Sequence, residues 1–270
     1  MYLADYHIHS TCSPDGRLSM ADMARAAIER GLDEICFTDH VDTIYWKDRS
    51  PRWDFDWAQA QAQFQQAQAL YGDRLNMKLG AELGEAAMSF ERAEHLLSGA
   101  PDLDFVIGSV HMAGEAFDHL DLYFIPQGDE AYYHAVIDSY LTDMLSLARW
   151  GQFHVLGHLT LPLRYINENY HAGMTFASHK EQVAEIFRTL IGKGIGIECN
   201  TNRGNDPLPD RDMLKLYREL GGEIITLGSD AHSADYVGCA IKERQELLRE
   251  CGFRYFTTFT KGQPEFRCLN

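Results

Sequence analysis

Two histidines two residues apart, His7 and His9, stand at the end of a short apolar run that begins at Met1, and Asp15 follows soon after. Side chains alternate along a strand, so residues two apart share a face and can aim two imidazoles at one point. Imidazole nitrogen is a ligand that zinc, iron and manganese all accept. An isolated His-x-His reads first as a solvated strand end. Recurrence changes its weight here. His40, Glu82, His111, His158, Asp230 and His232 also fall where an apolar run stops. Chance would scatter such residues over helices and loops. His95, His119, His134, His171 and His179 do scatter in that way and read as solvated or structural, while His154 lies deeper in its own run and reads as a core histidine.

The elements that must position these groups follow from the hydrophobic pattern. Apolar runs at 1–8, 34–38, 76–81, 105–110, 153–156, 194–197 and 224–227 predict strands, each followed by a stretch of helical period. Those helices are predicted over 19–30, 57–71, 89–97, 129–150, 178–191, 210–220 and 234–249, with a last short strand at 253–259. Ser19 is a predicted N-cap, with Gly31 just past the end of its helix. Segments 41–55 and 112–127 read as long loops carrying aromatic and acidic side chains. Seven β-then-α units without a proline- or glycine-rich linker predict an α/β fold, a parallel sheet closed or nearly closed into one barrel domain over residues 1–270. Barrels of this kind place their active sites at the carboxyl ends of the strands, where the metal-type residues fall.

Composition narrows the partners. With 270 residues, 45% hydrophobic and 24% charged, the chain can bury a large core as an ordinary soluble protein does. A formal charge of −16 opposes nucleic acid or an anionic membrane as the main partner. It leaves room for a small phosphorylated substrate, because bound metal inverts the local field. The six cysteines are scattered and form no Cys-x-x-Cys pair, which predicts reduced thiols and a cytoplasmic protein. Neither a signal peptide nor a membrane span is expected. A homo-oligomer is left open.

In combination, His7-Ile8-His9 with Asp15, Thr38-Asp39-His40, Gly80-Ala81-Glu82, Ser109-Val110-His111, Gly157-His158 and Ser229-Asp230-Ala231-His232 resemble the motif set of the polymerase and histidinol phosphatase (PHP) superfamily. The resemblance implies a distorted (β/α)7 TIM-like barrel with a metal cluster at the strand carboxyl ends. It implies two or three divalent ions, zinc, iron or manganese. His7, His9, Glu82 and Asp230 would hold the first. Glu82 would bridge to a second, completed by His111 and His158, and Asp15, His40 and His232 would hold a third. Many relatives carry an acid two positions after the Gly-His motif, where this chain has Thr160. Within the superfamily, the chain length, Phe55-Asp56 and Glu82-Leu83-Gly84 resemble the histidinol-phosphate phosphatases of histidine biosynthesis. That implies hydrolysis of L-histidinol phosphate. A PHP phosphoesterase acting on a nucleotide, phosphotyrosine or another small ester is the alternative. An amidohydrolase would want a bridging lysine on strand four, and His111 stands there instead.

The chemistry is sound apart from the name. Nine side chains exceed the coordination of one ion, and a shared carboxylate is usual in multinuclear hydrolytic sites. Phosphate monoesters hydrolyse extremely slowly unaided, so concentrated positive charge is what the reaction needs. The expected mechanism is direct attack on phosphorus by a metal-bridging hydroxide, without a phosphoenzyme, the third metal holding a phosphate oxygen and the departing alkoxide. Asp15, Glu82, Asp230 and Arg203 form the expected catalytic set. Arg203 and Arg164, both expected in loops at the active face, carry guanidinium forks that match phosphate; pairing with surface acids is the plain alternative. Asp39, Glu198, Asn200 and Ser229 are expected to orient ligands. Tyr45, Trp46 and Trp53 either wall an imidazole pocket or pack on the barrel rim.

Overall fold

The computed structural model describes residues 1–269. In chain order the first half runs β1 (Ala4–Ile8), α1 (Met20–Glu29), β2 (Glu34–Phe37), β3 (His40–Asp42), α2 (Trp57–Tyr71), β4 (Asn76–Gly84), α3 (Phe90–Ser98) and β5 (Phe105–Ser109). The second half runs α4 (Glu130–Trp150), β6 (Val155–Leu156), α5 (Leu161–Tyr170), α6 (Lys180–Gly192), β7 (Gly196–Asn200), α7 (Arg211–Glu219), β8 (Ile225–Gly228), α8 (Ile241–Glu250), β9 (Tyr255–Thr260) and β10 (Gln263–Cys268). The helices start where the sequence signals a start. Ser19, Asp56, Asp129 and Asp210 each accept a hydrogen bond from a backbone N–H of the first turn they cap.

The strands form one parallel sheet in the order β1-β2-β4-β5-β6-β7-β8, with β3 paired to β4 beyond the end of β2. The sheet curls until its first and last strands meet. Ile8 bridges Ala231, the His9 N–H donates to the Ala231 carbonyl at 2.9 Å, and the Ala231 N–H donates to the His7 carbonyl at 3.2 Å. The seam therefore closes at the carboxyl end, among the metal-type residues. This is the distorted seven-stranded barrel that the sequence predicts.

Four local differences matter. Segment 41–55 is not all loop: after β2 the backbone breaks at Thr38–Asp39, then His40, Val41 and Asp42 pair with Glu82, Leu83 and Gly84. His40 and Asp42 consequently share one face. By the same pairing β4 runs on to Gly84, so Glu82 lies inside its strand rather than at its end. Residues 161–170 form α5, unpredicted because Pro162 interrupts the pattern; in a first turn the missing N–H costs nothing. The last long helix begins at Ile241 and not at 234, since Gly238 and Ala240 adopt positive φ.

The fourth difference is β10, which pairs antiparallel with β9 into a hairpin. It packs on the amino-terminal end of the barrel. The Phe259 ring lies 4.9 Å from that of Phe105, and the Phe259 N–H donates to the Tyr6 hydroxyl at 2.8 Å. Tyr6 in turn donates to buried Glu34, which also accepts from the Tyr2 hydroxyl at 2.7 Å and Asn76 Nδ2 at 2.6 Å. His154 accepts from the Val106 N–H through Nδ1 at 2.8 Å and stacks on Phe105, but it is only half-buried, at the edge of the core and not within it.

Candidate metal centre

Alternation along β1 turns His7 and His9 the same way, and both are fully buried. The carboxylate they face is Glu82. Its Oε2 lies 3.3 Å from His7 Nε2, 3.5 Å from His9 Nε2 and 3.0 Å from His40 Nδ1. Its Oε1 lies 2.9 Å from His158 Nε2 and 3.3 Å from His111 Nε2. Asp230 Oδ1 stands 3.5 Å from His9 Nε2 and 3.8 Å from His7 Nε2. Asp15 closes the far side, with Oδ2 3.0 Å from His232 Nε2 and Oδ1 3.8 Å from His40 Nε2. All nine predicted residues converge.

Their ligand atoms gather into three groupings with every separation within 4.8 Å: His7, His9 and Asp230; His40, Glu82 and His111; His9, His40 and His232. The first grouping lies inside the first implied set. His40 departs from the implied partition, because β3 pairs it directly across from Glu82. It faces two groupings at once.

The donor set fits cations on physical grounds. His7 Nε2, His9 Nε2, His40 Nδ1, His232 Nε2 and Glu82 Oε2 are buried and have no hydrogen-bond partner. Each such orphan costs about 1–3 kcal/mol, and proteins rarely tolerate even one without a reason. Without ions the charges strain against one another. Burial pushes the His7 pKa down, but the Glu198, Glu82 and Asp230 carboxylates outweigh it and hold it well above the ordinary value. Burial, His232 and His40 hold His9 well below its own. Glu82 stays ionised despite burial, because His7, His40 and His111 surround it. Divalent ions held by these groupings would satisfy the orphaned atoms.

Groups behind the cluster hold it in place. Glu198 Oε1 lies 2.6 Å from His7 Nδ1, and its Oε2 accepts from the His158 N–H at 2.9 Å. That leaves Nε2 of His7 free to face the cluster. Gly228 makes the contact possible, since a Cβ there would collide with Glu198 Oε1 and the His7 Cβ. Asp39 accepts from the Ser13 hydroxyl at 2.7 Å, and Ser13 Oγ lies 3.0 Å from His9 Nδ1. Ser229 donates its N–H to Asp5 at 2.8 Å, and Asp5 also accepts from Gly238 N. This pins the turn in which Asp230 adopts φ 58°, a strained conformation for a residue with a Cβ. Glu85 escaped the sequence reading. Its Oε1 accepts from the His111 N–H at 2.7 Å and lies 3.0 Å from His111 Nδ1, the same orienting contact that Glu198 makes to His7.

A cavity of about 640 Å³ opens over the cluster, lined by Asp15, His40, His111, His158, Asp230 and His232 among others. Arg164 lines it too, though from α5 and not from a loop. Its guanidinium is buried, with Nη1 3.1 Å from Asp230 Oδ2, Nε 2.7 Å from Asn202 Oδ1 and Nη2 3.2 Å from Asn200 Oδ1. Arg203 reaches the cavity from an exposed turn, lying 5.4 Å over the Tyr236 ring. Arg17 is a third lining arginine that the sequence reading passed over. Of the loop aromatics, Trp46 lines the cavity, whereas Trp53 packs edge-on against His95 and Tyr45 lies under Arg52.

Comparison with known proteins agrees with this geometry. The chain is 31% identical to a histidinol-phosphatase of Lactococcus lactis, across 95% of this chain and 94% of that protein. It is 29% identical to a protein of Deinococcus radiodurans named "Probable histidinol-phosphatase", across 97% and 99%. The crystal structure of histidinol phosphate phosphatase from Lactococcus lactis, complexed with zinc, L-histidinol and phosphate, superposes with a TM-score of 0.80. That match has 27% identity and covers 97% of this chain and 98% of that one. The PHP domain model matches residues 5–202, a span that holds seven of the nine converging side chains, and the chain belongs to the PHP family.

Proposed function

We propose that this protein is a metal-dependent phosphomonoesterase that hydrolyses L-histidinol phosphate to L-histidinol and phosphate, a step of histidine biosynthesis. The observation that carries the reading is the convergence of four orphaned imidazole nitrogens and one orphaned carboxylate oxygen on the floor of a cavity that arginines also line. The ligands are His7, His9, Asp15, His40, Glu82, His111, His158, Asp230 and His232, enough for two or three ions of zinc, iron or manganese. When bound, these ions supply positive charge opposite the phosphoryl oxygens and acidify the water that attacks phosphorus.

The chain's own groups do the rest. Glu82 and Asp230 fix the floor and set its charge. Arg203, the less encumbered of the two predicted arginines, takes phosphate oxygens with its fork. Arg164 spends its donors on Asp230, Asn200 and Asn202, so it fixes the orientation of Asp230 and adds positive charge beside the ester. Asp15, the most exposed of the carboxylates in the cluster, stands at the mouth between His40 and His232, placed to pass a proton to the departing alcohol. Burial pushes its carboxyl up, but the contact with His232 and the charge of His40 outweigh it and hold it below the usual range, so the proton is relayed from water. No helix among the described residues is long and apolar enough to cross a membrane. A cytoplasmic enzyme acting on a small ester, and not on nucleic acid, suits the acidic charge and the free cysteines.

The test is phosphate release from L-histidinol phosphate by purified protein before chelation, after it, and after return of zinc or manganese. Activity is expected to vanish and return. Undiminished hydrolysis by metal-free protein would sink the reading.

A further inference from the structure

Arg203 is carried by a turn that needs outside help to hold its shape. After β7 the backbone doubles back at once, and Asn200 and Leu208 exchange both backbone hydrogen bonds, at 2.9 and 3.0 Å. Between them Asn202, Arg203 and Gly204 take φ of 49°, 55° and 89° in succession. Glycine enters the left-handed region freely, but an asparagine and an arginine, each with a Cβ, enter it at a cost. Strain of this kind persists only where the surroundings over-determine it, and it gathers at functional sites.

Two helices supply the hold. From α5, Arg164 Nε donates to Asn202 Oδ1, and Glu168 Oε1 accepts from Asn205 Nδ2 at 3.0 Å and from Asn202 Nδ2 at 3.3 Å. From α8, Arg244 Nη2 donates to the Asn205 carbonyl and, at 3.3 Å, to the Thr201 carbonyl. Those two carbonyls flank the three left-handed residues, so one guanidinium nitrogen ties the two feet of the turn together. Arg244 is out of place by helix patterning. Ile241, Gln245 and Leu248 form the buried face of α8, and Arg244 falls on that stripe, one turn after Ile241 and one before Leu248. An apolar side chain is the ordinary occupant. The arginine is half-buried and its Nε has no hydrogen-bond partner, a cost that packing alone does not explain. Among the described residues its guanidinium donates to the turn alone, and it is not one of the residues that line the cavity.

We propose that Arg244 is a positioning residue for phosphate capture: by tying Thr201 to Asn205 it holds the strained turn in the form that presents the Arg203 fork to the cavity. The inference rests on the reading of Arg203 as a phosphate clamp of a histidinol-phosphate phosphatase. Arg244 meets neither the ester nor a metal ligand, so whatever it contributes to the reaction passes through Arg203.

The experiment uses metal-loaded protein, L-histidinol phosphate as substrate and inorganic phosphate as inhibitor. Arg244→Met keeps the stem and removes the donors. It should lower kcat/KM about tenfold and weaken inhibition by phosphate, with metal content retained. Arg244→Lys, whose ammonium can serve both carbonyls, should recover most of the loss. In an Arg203→Ala background, Arg244→Met should cost no more than about twofold further, because the group it positions is already gone. A loss of equal size with and without Arg203 overturns the proposal, since it marks a general loosening of the fold. Wild-type kcat/KM in Arg244→Met overturns it as well. Arg244→Gln, a milder change, repeats the comparison if Arg244→Met does not fold. No hydrolysis by the metal-loaded wild type overturns the assigned function and this inference with it. Normal hydrolysis by the wild type, unchanged in Arg203→Ala, overturns the clamp and its positioning residue but leaves the function standing.

Discussion

Glu82 is the residue on which the rest depend, because both its oxygens face imidazoles and five histidines lie within 3.5 Å of it. Asp15 touches only the outer pair, His40 and His232. Glu82→Gln should therefore lower metal content by more than about one equivalent, and Asp15→Asn by roughly one, as measured by elemental analysis of purified variants. Equal retention in both would mean that these carboxylates do not hold the metals. Arg203 differs in kind. Arg203→Ala should leave metal content intact and lower kcat/KM by about ten- to several-hundred-fold, and Arg203→Lys should recover only part, since a point charge cannot replace the fork. The nine converging residues were legible in the sequence because histidines and acids are conspicuous against apolar strand ends. Glu85 and Asp42 were not, for they are two acids among 40, and only the fold shows which acids face a histidine or a cavity.

Among the elements, the short ones carry the most consequence. β6 has only two residues and β3 three, yet β3 carries His40 and β6 leads straight into His158, and a strand that short leaves almost no period to read. The long helices were legible from their apolar spacing; α5 was not, since Pro162 mimics a breaker. Close approach of β8 to β1 and β7 depends on Gly228. Gly228→Ala should destabilise the fold by about 1–3 kcal/mol and shift the His7–Glu198 contact, since its new methyl meets both residues. Calorimetry on the metal-loaded variant checks the first effect, and the number of ions retained checks the second. Unaltered stability would mean that the strands part there at no cost.

Taken whole, the molecule joins protons, metals and stability. In the metal-free chain burial lowers the His40 pKa, but Glu82 and Asp42 outweigh it and raise the group to about 9; burial of His111 is likewise outweighed by Glu82 and Glu85. A histidine raised in this way stabilises the metal-free fold fully below its unfolded pKa near 6.5, and the contribution is lost as pH climbs through about 9. Metal demands the opposite, an imidazole without its proton. The gap in Tm between loaded and metal-free protein should thus widen from pH 6 to pH 9, and metal uptake at pH 7 should release protons into a weakly buffered solution. A gap that narrows with rising pH would contradict the assignment. The seam between β1 and β8 carries a consequence of another sort. Asp230 and the bridge to Ala231 lie more than two hundred residues after the histidines that they complete. On the ribosome, His7 and His9 emerge first and wait through nearly the whole of synthesis for Asp230 and His232, so the two groupings that contain them cannot close until the last sixth of the chain is made.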